Sequence, residues 1–106
     1  MQIDLLYFEG CPSWQVGLEN LKSALAEEGI DADIRLVQVE DNAEAERLRF
    51  LGSPSFQINC KDLWPEAREA YALSCRVYST PQGMRGAPEV EMLRQKLHVY
   101  AKVEPQ

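Results

Sequence analysis

The chain has 106 residues, enough for one domain around one core and too few for two. Hydrophobic residues make up 45% and charged residues 26%, an ordinary globular balance. A net charge of −6 repels phosphate backbones and anionic lipid, which sets nucleic-acid and membrane-surface binding aside. No apolar run approaches the roughly 20 residues that span a bilayer. Met1-Gln2-Ile3-Asp4 lacks the basic start and apolar block of a secretory signal, so a cytoplasmic location with reduced thiols is expected. Three cysteines make no disulfide framework. Without a Cys-x-x-Cys or Cys/His zinc spacing, neither a metal nor a cofactor is expected.

Residues 3 to 8 are predicted as a buried strand bounded by Gly10. Residues 12 to 28 are predicted as a helix, with Trp14, Leu18, Leu21 and Leu25 as one apolar stripe and Gly29 as a left-handed stop. Pro12 suits the first helical position, where its missing N–H was unpaired anyway. Cys11 then lies beside the free N–H groups of a helix start, which favour a thiolate. It is either a nucleophile or soft-metal ligand, or a small buried residue at a strand–helix junction. Glu9 would oppose the thiolate if its side chain turned inward. Trp14 either packs in the helix stripe or shields Cys11 from water.

Asp33 to Val39 alternates apolar and polar residues, a second strand parallel to the first across the helix. Asp41 and Glu44 form a capping pair for a helix over 42–51, ended by Gly52. Ser53-Pro54-Ser55-Phe56-Gln57-Ile58 reads as a third strand entered through a proline, followed by a turn at 59–62. Two helical turns are predicted from Pro65, a fourth strand over 75–79 and a loop over 80–87. Pro88 opens a last helix with Val90, Leu93, Leu97 and Tyr100 inward, and the tail after Ala101 is expected to fray. His98, the single histidine, is expected in solvent, and no Cys-His pair or Ser-His-Asp triad is supported. Arg85, in the loop before the last helix, is a surface residue or a partner for a carboxylate. Trp64 and Tyr71 either cover the sheet's far end or form a patch for self-association.

This order of elements, with Gly10-Cys11-Pro12-Ser13-Trp14, Ser53-Pro54-Ser55-Phe56 and Gly86-Ala87-Pro88-Glu89-Val90, resembles the thioredoxin-like superfamily. It is more similar to the small bacterial thiol proteins of that superfamily than to thioredoxin itself, over roughly residues 3 to 98. The resemblance implies an α/β domain over 1–106, ordered β-α-β-α-β-β-α, with a four-stranded mixed sheet flanked by helices. It makes Cys11, followed by Pro12 and Trp14, the attacking thiol. It makes Pro54 a cis proline packed against that thiol, and places the Ser53 backbone to pair with a substrate chain. The family's resolving cysteine falls on Trp14 and its buried acid on Leu5, so a Cys-x-x-Cys reaction is not expected. The implied function is monothiol oxidoreduction or exchange with a protein or small-molecule thiol or disulfide. Soft-metal thiolate binding of an organomercurial-related kind (mercury or copper) and a non-catalytic interaction role are the alternatives.

With a third strand running away from Cys11, Cys60 is expected roughly 20 Å off along it. A fourth strand returning from that pole would bring Cys75 nearer to Cys60 than to Cys11, as free thiols or as a disulfide. The rival placement folds Cys75 back to face Cys11, where two thiolates would suit Cu(I), Zn(II) or mercury.

Overall fold

Strand β1 (Gln2–Tyr7) is the spine of a four-stranded mixed sheet in the computed structural model, which describes residues 1–103 and their side chains through Tyr100. It runs parallel to β2 (Asp33–Gln38), in register from Gln2 with Asp33 to Tyr7 with Gln38. On its other side it pairs antiparallel with β3 (Ser55–Ile58), through Leu5 with Phe56. The two-residue β4 (Lys61–Asp62) completes the order β2-β1-β3-β4.

The strand alternation divides the core between the two faces. Ile3, Leu5, Phe56 and Ile58 pack with Leu21, Ala24 and Leu25 of α1 (Ser13–Glu28) and Leu93 and Leu97 of α3 (Val90–Val103). Leu6 points the other way, to Val39, Ala45 and Phe50 around α2 (Asn42–Leu48). Helix α1 lies close on the sheet because position 17 is glycine. A Cβ there would sit 2.9 Å from Pro54 Cγ and 3.2 Å from Phe56 Cζ. Arg94 on α3 ties the helices together, reaching Glu28 at 3.0 Å and Glu27 at 3.3 Å. His98 lies 3.1 Å from Glu28 and is exposed.

Several expectations change. Helix α2 begins on the Asp41 cap, whose carboxylate accepts the Glu44 N–H at 2.8 Å, but ends at Arg49 rather than Gly52. Arg49 turns left-handed (φ 54°), and the buried Phe50 folds back with its N–H on Ala45 O. The turn after β3 is only Asn59-Cys60, both with positive φ, so the chain returns at once as β4. No helix starts at Pro65, and 63–77 is irregular backbone apart from the isolated bridge at Cys75. Residues 75–79 do not join the sheet. Instead β5 (Tyr78–Thr80) and β6 (Gly83–Arg85) form a separate hairpin where a loop was expected. Thr80 closes its turn, donating to Gly83 O at 2.6 Å and accepting from Gln82 N at 3.1 Å. Helix α3 continues past Ala101, and the rest of the predicted tail, 104–106, lies outside the described residues. Among those described, no helix is long and apolar enough to cross a membrane.

Candidate functional site

After β1 the chain makes one turn, with Cys11 N–H on Phe8 O at 3.2 Å, and enters α1. Pro12 is the residue ahead of the first helical one (φ −72°), and no side chain caps this end. Trp14 stacks on Tyr7 with ring centroids 4.1 Å apart and packs against the core cluster. Glu9 is exposed. The Cys11 side chain is 1% exposed, and its thiol donates to Ser53 O at 3.4 Å. The Cys11 sulfur is therefore enclosed, not the open attacking group expected of it.

The Ser53–Pro54 peptide is cis, as the resemblance implies, and Pro54 is buried beside Gly17 of α1. Ser53 has no polar group to spare. Its N–H donates to Ser74 O at 2.8 Å, its carbonyl accepts Arg76 N–H at 3.0 Å, and its hydroxyl accepts Phe8 N–H at 3.3 Å. The strand-like pairing expected with a substrate is made by the chain's own segment 74–76, as a parallel bridge between Ser53 and Cys75.

That bridge corrects the cysteine placement. Cys75 bridges to Ser53, the residue whose carbonyl receives the Cys11 thiol, which places Cys75 beside Cys11, while Cys60 sits exposed at the β3–β4 turn. The hydrogen bond with Cys11 raises the Cys75 thiol above its ordinary pKa of 9.0, with smaller contributions from burial and from charge on Cys11. Two neighbouring thiols behave this way because the first to ionise holds the second proton back. Cys75 is nonetheless exposed, so the pair has one enclosed sulfur and one facing solvent.

Arg76 holds Cys75 in place. Its guanidinium is 4% exposed and meets the Asp62 carboxylate at 2.9 and 3.0 Å, with Trp64 O at 2.6 Å and Ser55 Oγ at 3.4 Å. It also lies 4.8 Å over the Tyr78 ring, whose hydroxyl donates to Pro54 O. Burial raises the Asp62 pKa and outweighs the pull of Arg76 in the other direction. Burial likewise pushes the Tyr78 hydroxyl up, so it stays a donor. Gly52 lets the segment approach. At φ 118°, a Cβ there would lie 2.9 Å from Arg76 Cβ and 3.1 Å from its Cα.

The structure thus brings Cys11, Ser53 and Pro54 together beside the α1 start, and adds Cys75, Arg76, Asp62 and Gly52. Sequence reading assigned none of these four to the site except through the rival placement of Cys75. Cys75 and the adjacent Arg76 were the available signal, but an arginine's burial cannot be read from its type. Two sulfur donors stand side by side. Among the described residues no group of three or more His, Cys, Asp or Glu is arranged to hold a metal. Compared with protein-family models, with curated proteins and with solved structures, the chain matches none.

Proposed function

We propose that this is a thioredoxin-like thiol–disulfide exchange protein that works through the Cys11–Cys75 pair. The observation that carries the reading is the bridge that sets Cys75 against Ser53, whose carbonyl receives the Cys11 thiol, with one cysteine enclosed at a helix start and the other exposed. The cis Ser53–Pro54 peptide beside that helix start and the four-stranded mixed sheet support the likeness.

The accessible sulfur acts first. Cys75 gives its proton to solvent, and the thiolate attacks one sulfur of a disulfide R–S–S–R. A Cys75–S–S–R bond forms and one RS⁻ leaves. The Cys11 thiol then passes its proton to the released RS⁻, and its thiolate attacks Cys75 Sγ. The Cys11–Cys75 disulfide forms and the second RS⁻ leaves. The substrate gains two electrons, the protein loses two, and a dithiol reductant of the compartment restores the pair. A raised Cys75 pKa slows the first step near neutral pH. The thiolate that does form is the stronger nucleophile.

The test is peptide mapping after equilibration in thiol–disulfide buffers. A Cys11–Cys75 linkage with Cys60 free is expected. A linkage through Cys60, or three free thiols under oxidising conditions, overturns the reading. The same paired sulfurs favour a second one, two-coordinate capture of Cu(I) or Hg(II). One-to-one binding lost in both Cys11→Ser and Cys75→Ser supports it, and binding that survives either substitution rejects it.

A further inference from the structure

Beyond the exchange chemistry, on which this inference rests, we infer that the outer edge of residues 75–79 is a docking strand for a polypeptide disulfide, which adds to it as an extended chain with its own cysteine opposite Cys75. The Ser53 backbone, expected to pair with a substrate chain, is already bonded to Ser74 O and Arg76 N–H. In that parallel bridge the N–H and C=O of Cys75 itself turn the other way.

Burial alternates along this stretch, as in a strand with one covered face. Cys75, Val77 and Ser79 are exposed, and Arg76, Tyr78 and Thr80 are buried. An extended chain also presents the backbone groups of alternate residues to opposite edges. Arg76 N–H meets Ser53 O. Thr80 and Gly83 flank the two-residue turn of the hairpin, so they and the Tyr78–Arg85 pair exchange its hydrogen bonds. Residues 76, 78 and 80 thus fill the inner edge. The backbone groups of Cys75, Val77 and Ser79 face the outer one, where no backbone group among the described residues bonds to them.

A polypeptide is the occupant because an open row of N–H and C=O groups is matched by another backbone, and this row begins at the exposed thiol. Opposed residues that exchange hydrogen bonds in an antiparallel pair lie about 5.5 Å apart at Cα, within the span of a disulfide. The bond between Cys75 and the substrate cysteine therefore forms without either chain leaving its pairing. Alongside 76–79 lies an open groove of about 390 Å³, lined also by Trp64, Pro65, Met92 and Lys96. Val77 borders it and is 59% exposed. The substrate residue opposite Val77 is two positions from the substrate cysteine, and an apolar side chain is favoured there. A small disulfide has neither the backbone nor the flanking side chain to use this surface.

The experiment uses the full chain carrying Cys60→Ser and substrates with the same leaving group. One is a capped single cysteine carrying thionitrobenzoate. Another is a β-forming peptide carrying that group on its central cysteine, with valine two positions away on each side. Two further copies of the peptide are N-methylated, one on those valines and the other on the immediate neighbours of the cysteine. The Cys75 thiolate attacks the substrate cysteine sulfur and thionitrobenzoate leaves; the Cys11 thiolate then attacks Cys75 Sγ and releases the substrate thiolate. Thionitrobenzoate release gives the rates, and mass spectrometry identifies the protein product. The unmethylated peptide is expected to react at least about tenfold faster than the single cysteine, with a Cys11–Cys75 disulfide as product of both. Methylation on the valines, whose N–H groups face the docking edge with that of the cysteine, should abolish the gain, and methylation on the neighbours should preserve it. A smaller gain, or any other response to methylation, overturns the docking edge and leaves the exchange reading intact. If no substrate yields the Cys11–Cys75 product, the exchange reading fails and the docking edge with it.

Discussion

Replacing Arg76 by methionine tests whether one buried ion pair holds the thiol site together. The substitution removes both bonds to Asp62, at 2.9 and 3.0 Å, and the one to Trp64 O at 2.6 Å. It leaves the Asp62 carboxylate, 6% exposed, with the Trp64 N–H at 2.8 Å as its remaining neighbour. Removing one partner of such a pair costs about 3–5 kcal/mol, because the other charge stays buried and uncompensated. A chain of this length has about 5–15 kcal/mol in total. With a urea slope near 2 kcal/mol per molar, the unfolding midpoint should fall by about 2 M. The deficit should shrink in acid. Burial already raises the Asp62 pKa, and without Arg76 it rises further, so the folded variant takes up a proton that the unfolded chain binds only at lower pH. Combining Arg76→Met with Asp62→Leu should recover most of the loss, since apolar residues replace a buried pair at little cost. Equilibrium urea unfolding of the four proteins in the cycle gives the coupling directly. A single-variant cost below ~1 kcal/mol, the size of an exposed pair, would show that these charges are solvated and that the clamp is not what seats Cys75.

Gly52→Ala forces a Cβ to 2.9 Å from that of Arg76 at a positive φ, so stability should drop by about 1–3 kcal/mol and oxidation to the Cys11–Cys75 disulfide should slow. A change within ~0.5 kcal/mol would mean the segment gives way easily. In a Cys60→Ser background, Cys11→Ala should lower the Cys75 pKa toward 9.0, as read from ultraviolet thiolate absorbance, because the hydrogen bond that raises it is gone. An unchanged value would show that the two sulfurs do not interact. The hydrogen bond from Arg94 lowers the Glu28 pKa below 4.5, so its contribution is present above that pH and lost as pH falls through the folded value. The stability gap between the native protein and Glu28→Gln should therefore be flat at neutral pH and close in acid; a gap that persists in strong acid refutes the assignment.

The parts of this fold that the sequence announces are those with a period. The Trp14–Leu25 stripe, the alternation of β2 and the Asp41–Glu44 cap each repeat a local rule over several residues, and each element forms where its pattern lies. Segment 63–77 has no period because no regular ladder holds it. Scattered bonds do, those of the Arg76 guanidinium and the Ser53 backbone among them, and an arginine followed by Val77 and Tyr78 looks like any alternating strand. Proline and glycine over 81–86 suggested an open loop, yet Pro81-Gln82 is the turn of a hairpin whose Thr80 supplies the closing bonds. By local pattern Gly52 is a helix stop. Its φ of 118° serves close approach to Arg76 instead, a requirement set by a residue 24 positions away and invisible to local reading. Half of the thiol site was legible for the same reason: Cys11 and Pro54 sit in short local motifs, whereas Cys75 arrives by tertiary packing alone.

The separation in sequence between the two sulfurs couples oxidation to thermal endurance. A bond between positions 11 and 75 would tie off a loop of roughly 64 residues, and such a tether lowers the entropy of the unfolded chain by the equivalent of about 4 kcal/mol. By reciprocity, folding would favour closure of that bond by the same amount relative to the unfolded chain, so joining the two sulfurs would raise the temperature at which the fold is lost.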